Sequence, residues 1–244
     1  MKKLLALSFA LVVTATAGAG DHSHHWSYAG KDGPDHWGQM EGFGLCSAGK
    51  NQSPIDVRNA VAAKLPPLAF RYASFATDVL NNGHTVQVTY APGSQLLVDS
   101  SEYELQQFHF HAPSENLLDG KQFPLEVHFV HADPSGHLTV IGVFFEKGAA
   151  NAALDKLGQD LPLRAGDKHA LQMELAAAEL MPEARDYYRF AGSLTTPPCS
   201  EGVTWLVLKQ PITASAQQIQ QLAAIMGPSN ARPVQPLNAR TILQ

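Results

Sequence analysis

Short runs of β-branched and aromatic residues follow one another along this chain, broken by Gly, Pro, Asn and Asp. Runs bounded by turn formers in this way predict strands at 69–72, 77–81, 85–90, 95–98, 105–111, 125–131, 139–146 and 203–208. Helical patterning is rarer. Residues 151–157 are one candidate and 215–226 the clearer one. There Ser215 stands at the cap position, Ile219, Leu222, Ala223 and Met226 make one apolar stripe, and Gly227-Pro228 stops the helix. Residues 30–50 are rich in Gly with little periodicity and read as a long surface meander. No internal repeat or dividing linker is present. The expected fold is a single β-dominated α+β domain, with a large twisted, mostly antiparallel central sheet and short peripheral helices.

Two of the strands carry histidines in a pattern. His109 and His111 sit in Gln107-Phe108-His109-Phe110-His111, and His128 in Glu126-Val127-His128-Phe129-Val130. Side chains at i and i+2 of a strand share a face, so His109 and His111 project together while Phe108 and Phe110 project oppositely. Glu126, His128 and Val130 likewise share one face of the second strand. Between the runs, Leu118-Asp119-Gly120-Lys121 offers an Asp-Gly turn that returns the chain as an antiparallel neighbour. Three imidazoles then converge. Three neutral nitrogens suit a zinc ion and leave a fourth tetrahedral position open for water, the mark of a catalytic site. A lone strand histidine is more often a hydrogen-bonded core or surface residue. The third histidine and the nearby carboxylate of Glu126, which could hold a ligand ring in place, favour metal binding here.

The chain opens Met1-Lys2-Lys3, runs apolar from Leu4 to Val13 and reaches Ala15-Thr16-Ala17-Gly18-Ala19. A basic start, a short apolar stretch and small residues describe a secretory signal peptide over 1–19, cleaved near 17–20, with 20–244 as the mature domain. The apolar run falls short of the roughly 20 residues a membrane span needs, and no later segment is long enough, so no membrane anchor is expected. Export predicts a periplasmic or secreted protein. In that setting the pair Cys46 and Cys199 reads as one disulfide. Net charge is −5 and no basic cluster occurs, which excludes nucleic acid as the expected partner. His22, His24 and His25 belong to a chain terminus and receive no catalytic role. The oligomeric state stays open, a dimer included.

Three further segments bear on chemistry. Asn81-Asn82-Gly83-His84 puts a histidine at a turn-to-strand junction, Pro113-Ser114-Glu115-Asn116 follows the first two ligand candidates, and Ser193-Leu194-Thr195-Thr196-Pro197-Pro198 pins two hydroxyls against two prolines. With Gln52-Ser53-Pro54-Ile55 and Asn230-Ala231-Arg232-Pro233-Val234-Gln235-Pro236 added, the chain resembles the α-class carbonic anhydrases, and most of all their exported bacterial members, from about Trp26 to Arg240.

The resemblance implies reversible hydration of carbon dioxide to bicarbonate and a proton, by attack of a zinc-bound hydroxide, with one zinc ion on His109, His111 and His128. It makes Thr195 the hydroxyl beside the nucleophile and Glu115 that hydroxyl's acceptor. It assigns the outer hydrogen bonds of the ligand rings to a backbone carbonyl of Gln107, a carbonyl of Asn230 and the carboxylate of Glu126. His84 matches the proton-shuttle histidine. Val130, Val140, Leu194, Val203 and Trp205 match the apolar wall for carbon dioxide, with Thr195 and Thr196 at its edge. Tyr28, Asn82 and Gln87 match polar positions along the water chain. In this chain only Ala112-Pro113-Ser114 separates His111 from Glu115, where many animal members have a longer loop, and Gln87 stands where many have Asn. His36, His131, His137 and His169 read as structural or surface residues.

Two rival functions differ in class. A non-catalytic module on the same fold would lack ligand histidines, and all three are present. A cupin-like oxygenase also uses His-x-His on strands, but would need further ligands on other strands and leaves the Thr-Thr-Pro-Pro segment unexplained.

Overall fold

β-Branched and aromatic residues pack well on a pleated surface, and here they assemble a single large sheet. The computed structural model describes residues 25–244. Its strands are β1 Asp56–Val57, β2 Ala69–Tyr72, β3 Ala76–Asn81, β4 Val86–Tyr90, β5 Ser94–Val98, β6 Ser101–His111 and β7 Leu117–Leu118. They continue with β8 Leu125–Ala132, β9 Leu138–Lys147, β10 Lys168–Ala170, β11 Tyr187–Ser193, β12 Glu201–Leu208 and β13 Ile212–Ala214. The helices are α1 Leu45–Ala48, α2 Ala152–Gly158 and α3 Ala216–Met226. The main sheet has the order β10-β3-β4-β6-β8-β9-β12-β11, with β5 joining β6 and β2, and β13 joining β9. Most neighbours are antiparallel, while β12 and β13 run parallel to β9. Strands β1 and β7 form a separate parallel pair.

The Asp-Gly turn forms where expected. Asp119 has φ 49° and Gly120 φ 80°, and Leu118 bridges back to Lys121 before β8 begins. The β6–β8 register then sets His109 opposite His128 and His111 opposite Glu126. Because successive side chains alternate, Phe108, Phe110, Val127 and Phe129 face the other way, into the main core with Ile141, Val143 and Phe145. That core is covered by Leu154 and Leu157 of α2 and Leu222 of α3. Each such side chain contributes about 1.5–3 kcal/mol by leaving water. On the histidine face a second cluster joins Val140, Phe144, Phe190, Val203, Trp205 and Val207. Helix α3 starts as read: Ser215 Oγ accepts from Gln218 N at 3.2 Å, and Gln218 Oε1 accepts from Ser215 N at 3.0 Å.

The segment read as a surface meander is partly interior. Trp37 is fully buried, and its Nε1 donates to the carbonyls of Ser27 and Asp32. Trp37, Cys46 and Cys199 form a third cluster, against which Trp26, Tyr28, Met40 and Phe43 pack. These contacts join residues far apart in the chain, so no local periodicity signals them. Strands β10 and β11 also go beyond the expected set. All of β10 is exposed and is held through its pairing with β3, while β11 pairs with β12 through a sequence, Tyr-Tyr-Arg-Phe-Ala-Gly-Ser, that does not alternate. The signal segment over 1–19, His22 and His24 lie outside the described residues.

Candidate active site

Among the described residues, His109, His111 and His128 form the one group of three potential metal ligands, each offering an atom within 4.8 Å of the others. His111 and His128 are buried, and His109 opens onto a cavity. Burial, reinforced by the neighbouring rings, holds the His109 and His128 pKa values well below that of free histidine; burial also lowers His111. All three rings are therefore neutral near pH 7, the form that binds metal.

The rings of His109 and His111 have their outer nitrogen engaged, which turns the other one inward. His109 Nδ1 lies 2.9 Å from Gln107 Oε1, and His111 Nδ1 lies 2.8 Å from the Asn230 carbonyl. His128 Nε2 approaches Glu126 Oε1 to 3.0 Å. The Gln107 contact corrects the sequence expectation: the side-chain amide oxygen, not the backbone carbonyl, holds His109. On β6 the Gln107 carbonyl belongs to the ladder, while its side chain shares the face of His109 two residues on.

The donor set fits a divalent cation. His111 Nε2 is buried without a hydrogen-bond partner, and so is Glu115 Oε2, 3.4 Å away. Burial pushes Glu115 up to about 8 and Glu126 up to about 7, so two carboxyls sit in a dry site beside three uncharged rings. A positive ion at the three inward nitrogens would satisfy the orphaned nitrogen and balance the carboxylates. Nitrogen ligands with an open fourth position suit zinc.

Two carboxyl groups frame this centre. Glu126 Oε2 accepts from the backbone N–H of Glu115 at 2.8 Å and of Asn116 at 2.9 Å, while Oε1 accepts from Asn116 Nδ2 at 2.9 Å. Room for it comes from Gly142, paired with His128 across β8 and β9, where a Cβ would stand 3.0 Å from Glu126 Oε1. Glu115 is also buried, and its Oε1 accepts from the Arg232 N–H at 2.9 Å. Thr195 is close enough for its hydroxyl to favour the charged form of Glu115. Asn116 and Arg232 lie inside motifs legible in the chain yet carried no assigned role. Gly142, lacking a side chain, gave no signal outside the tertiary pairing.

A cavity of about 130 Å³ leads outward, lined by Trp26, Tyr28, His84, Gln87, His109 and Thr196 among others. Larger hollows occur elsewhere, one of about 390 Å³ beside Glu102, Glu104 and Asp133, but the three-histidine group is not there. His84 is half-buried at the cavity, and its backbone N–H donates to Asn82 Oδ1 at 2.9 Å. Of the residues expected to form an apolar wall, Val140, Val203 and Trp205 are buried in one cluster, and Val130 and Leu194 pack against it. Trp205 also meets His128 edge-on, with ring centroids 4.8 Å apart. Cys46 and Cys199 are disulfide-bonded, tying the N-terminal segment to the loop that carries Thr195 and Thr196. The other histidines stand apart as expected: His131 is buried against Tyr72, and His137 pairs with Asp133 at the surface.

A sheet-borne trio of neutral imidazoles at a cavity could hold a single metal ion and leave one coordination position open. Comparisons give the particular family. The model of the eukaryotic-type carbonic anhydrases matches residues 32–244. The chain is 50% identical over 244 residues to a carbonic anhydrase of Pectobacterium carotovorum, with 100% of both covered. It is 45% identical over 240 residues to one of Neisseria gonorrhoeae, covering 98% of this chain and 94% of that one. The alpha-carbonic anhydrase of Thermovibrio ammonificans, solved with the inhibitor sulfanilamide, superposes with TM-score 0.89 at 48% identity, covering 90% of this chain and 99% of that one. The chain belongs to the eukaryotic-type, or alpha, carbonic anhydrase family and is an enzyme of that kind.

Proposed function

We propose that this protein catalyses the reversible hydration of carbon dioxide to bicarbonate and a proton, with one zinc ion per chain on His109, His111 and His128. The observation that carries this reading is the convergence of three neutral imidazoles, those of His109 and His111 held by Gln107 and Asn230 and that of His128 beside Glu126. Zinc supplies a water acidic enough to serve as nucleophile near neutral pH, an effect for which carbonic anhydrases are themselves the standard example.

The remaining residues orient and carry. If the Thr195 hydroxyl donates to Glu115, its oxygen can only accept, so it fixes the direction of the nucleophile's proton. This role is positional rather than acid–base. Val130, Val140, Leu194, Val203 and Trp205 offer carbon dioxide, which has no net dipole, a dry apolar surface. Each turnover releases a proton, and His84 at the cavity receives it on its ring, imidazole being the side chain whose unperturbed titration lies nearest neutrality. Tyr28, Asn82 and Gln87 line its way.

Residues 1–19 act as a signal peptide, and the Cys46–Cys199 bridge supports a periplasmic or secreted location, where thiols are oxidised. No helix among the described residues is long and apolar enough to cross a membrane. The test is carbon dioxide hydration by purified protein before and after chelation, with metal analysis. Activity and one zinc per chain are expected, both lost on chelation and restored by zinc. Full activity in metal-free protein refutes the reading, and iron in place of zinc points to oxygenase chemistry.

A further inference from the structure

Arg232 is only 3% exposed yet carries a guanidinium. Its Nη1 donates to Gln52 Oε1 at 2.9 Å and to the Ser53 carbonyl at 2.8 Å, and its Nη2 donates to the Cys46 carbonyl at 2.8 Å. Its backbone N–H donates to Glu115 Oε1 at 2.9 Å. The two residues gripped by Nη1 hold, in turn, the loop that bears Thr195. Gln52 Nε2 donates to the Cys199 carbonyl at 3.0 Å. Ser53 N donates to Ser193 Oγ at 2.9 Å, and Ser193 N donates to Ser53 Oγ at 3.2 Å. Ser193 and Cys199 bracket Thr195 and Thr196, and Cys199 is bonded to Cys46, whose carbonyl Arg232 also grips.

One residue therefore reaches both members of the Glu115–Thr195 pair. It holds the carboxylate directly, and the hydroxyl's loop through one intermediary at each end. Burying a cation costs free energy that an apolar side chain of similar volume would not incur. What the guanidinium adds is direction: a planar, rigid fork that fixes several acceptors at set angles, which lysine cannot reproduce. Trp37 closes the far side, its ring 5.7 Å from the guanidinium carbon, so the fork is confined as well as bonded.

We propose that Arg232 is a positioning residue of the reaction, aligning Thr195 with Glu115 by clamping residues 46–53 with its side chain while its own backbone holds the carboxylate. The proposal rests on the roles given above to Thr195 and Glu115. Arg232 touches neither substrate nor metal ligand, so its effect travels through those two residues.

The test compares zinc-loaded wild type with Arg232→Lys. Four quantities are read: zinc per chain, melting temperature, kcat/KM for carbon dioxide per bound zinc, and the ratio of affinities for hydrosulfide and cyanate. The ratio is the diagnostic readout. A Thr195 oxygen that can only accept favours an anion bearing a proton over one without, and loses that preference when misaligned. Arg232→Lys is expected to keep zinc, to lose about 10-fold in kcat/KM, and to lose a similar factor in the ratio, since small misplacements of an orienting group cost rate steeply. Wild-type kcat/KM and ratio in zinc-loaded Arg232→Lys, whatever its melting temperature, would overturn the proposal. If that variant does not fold, Gln52→Met removes one arm alone: a reduced ratio supports the clamp, and an unchanged ratio overturns it. Wild type without hydration activity would overturn both this proposal and the functional reading, a result separate from a failure of the variants alone.

Discussion

The rings of Trp26 and His84 lie face to face, their centroids 3.6 Å apart and their planes 8° from parallel. Tyr28 closes the same corner, its ring centroid 6.4 Å from that of His84. Burial by these rings, with the charge of His25 added, lowers the pKa of His84 from its ordinary value. The proposed shuttle is thus poised toward its neutral, proton-accepting form.

His84→Ala should lower turnover in dilute buffer while leaving kcat/KM and zinc content intact, and added imidazole should recover much of the loss. Trp26→Ala should raise the titration midpoint of His84 toward the ordinary value, because it removes burial; ring NMR over pH 5 to 8 reads this, the span in which histidine changes charge. Unchanged turnover of His84→Ala at low buffer would mean that the proton leaves by another route.

Thr195→Ala and Glu115→Gln should each reduce kcat/KM by about 100-fold while zinc stays bound, since a misplaced orienting group costs rate on that scale. The amide of the second variant can donate, which lets the threonine point wrongly. Near-normal rates in both would return these residues to purely structural roles.

Gly142→Ala places a methyl 3.0 Å from Glu126 Oε1 and 3.5 Å from Val207 Cγ2. The carboxylate must give way by a few tenths of an ångström, which disturbs its placement beside His128. Loss of such an outer partner costs about 10-fold or more in metal affinity, so zinc should leave this variant faster during dialysis against chelator. Wild-type retention would show that Glu126 can move without disturbing the ligand.

His131 is fully buried on β8, its Nε2 2.6 Å from the Tyr72 hydroxyl, and burial lowers its pKa from 6.5 to about 4. Between those values the unfolded chain binds a proton that the native state refuses, so stability falls as pH drops through that window. A fall of that size corresponds to about 3 kcal/mol as a ceiling. Urea unfolding at pH 7.5 and 5 should show a smaller pH effect in His131→Gln than in wild type; equal slopes would rule out His131 as a source.

The Cys46–Cys199 bridge spans 153 residues of chain, for which loop entropy allows about 5 kcal/mol at most, reduced by any native strain. Reduction should lower the melting temperature, and because the bridge ends in the Thr195 loop, kcat/KM should fall in the same titration. Two free thiols in exported protein, found by mass analysis, would refute the bridge in the cell.

Much of the site could be read from the chain because it is built on strands. A period of two is a local property, so Gln107-Phe108-His109-Phe110-His111 already put two imidazoles on one face and two phenyl rings on the other. The Asp119-Gly120 turn, needing φ values that few residues adopt, announced the antiparallel return to His128. The capped helix from Ser215 is legible for the same reason, since its box closes within four residues.

Other features depend on residues brought together from far along the chain. That Gln107 uses its side chain, that Gly142 leaves space for Glu126, that Trp26 stacks on His84 and that Arg232 grips residues 46–53 are all facts of close packing between distant segments. Burial of Trp37 inside a stretch without periodicity is another. Alternation along a strand fixes which face a side chain takes, and with it the ligands and the fold class. Distances, orientations and the dry setting of Glu115 arise only when the third dimension closes, because each depends on groups as many as 186 residues apart in the chain.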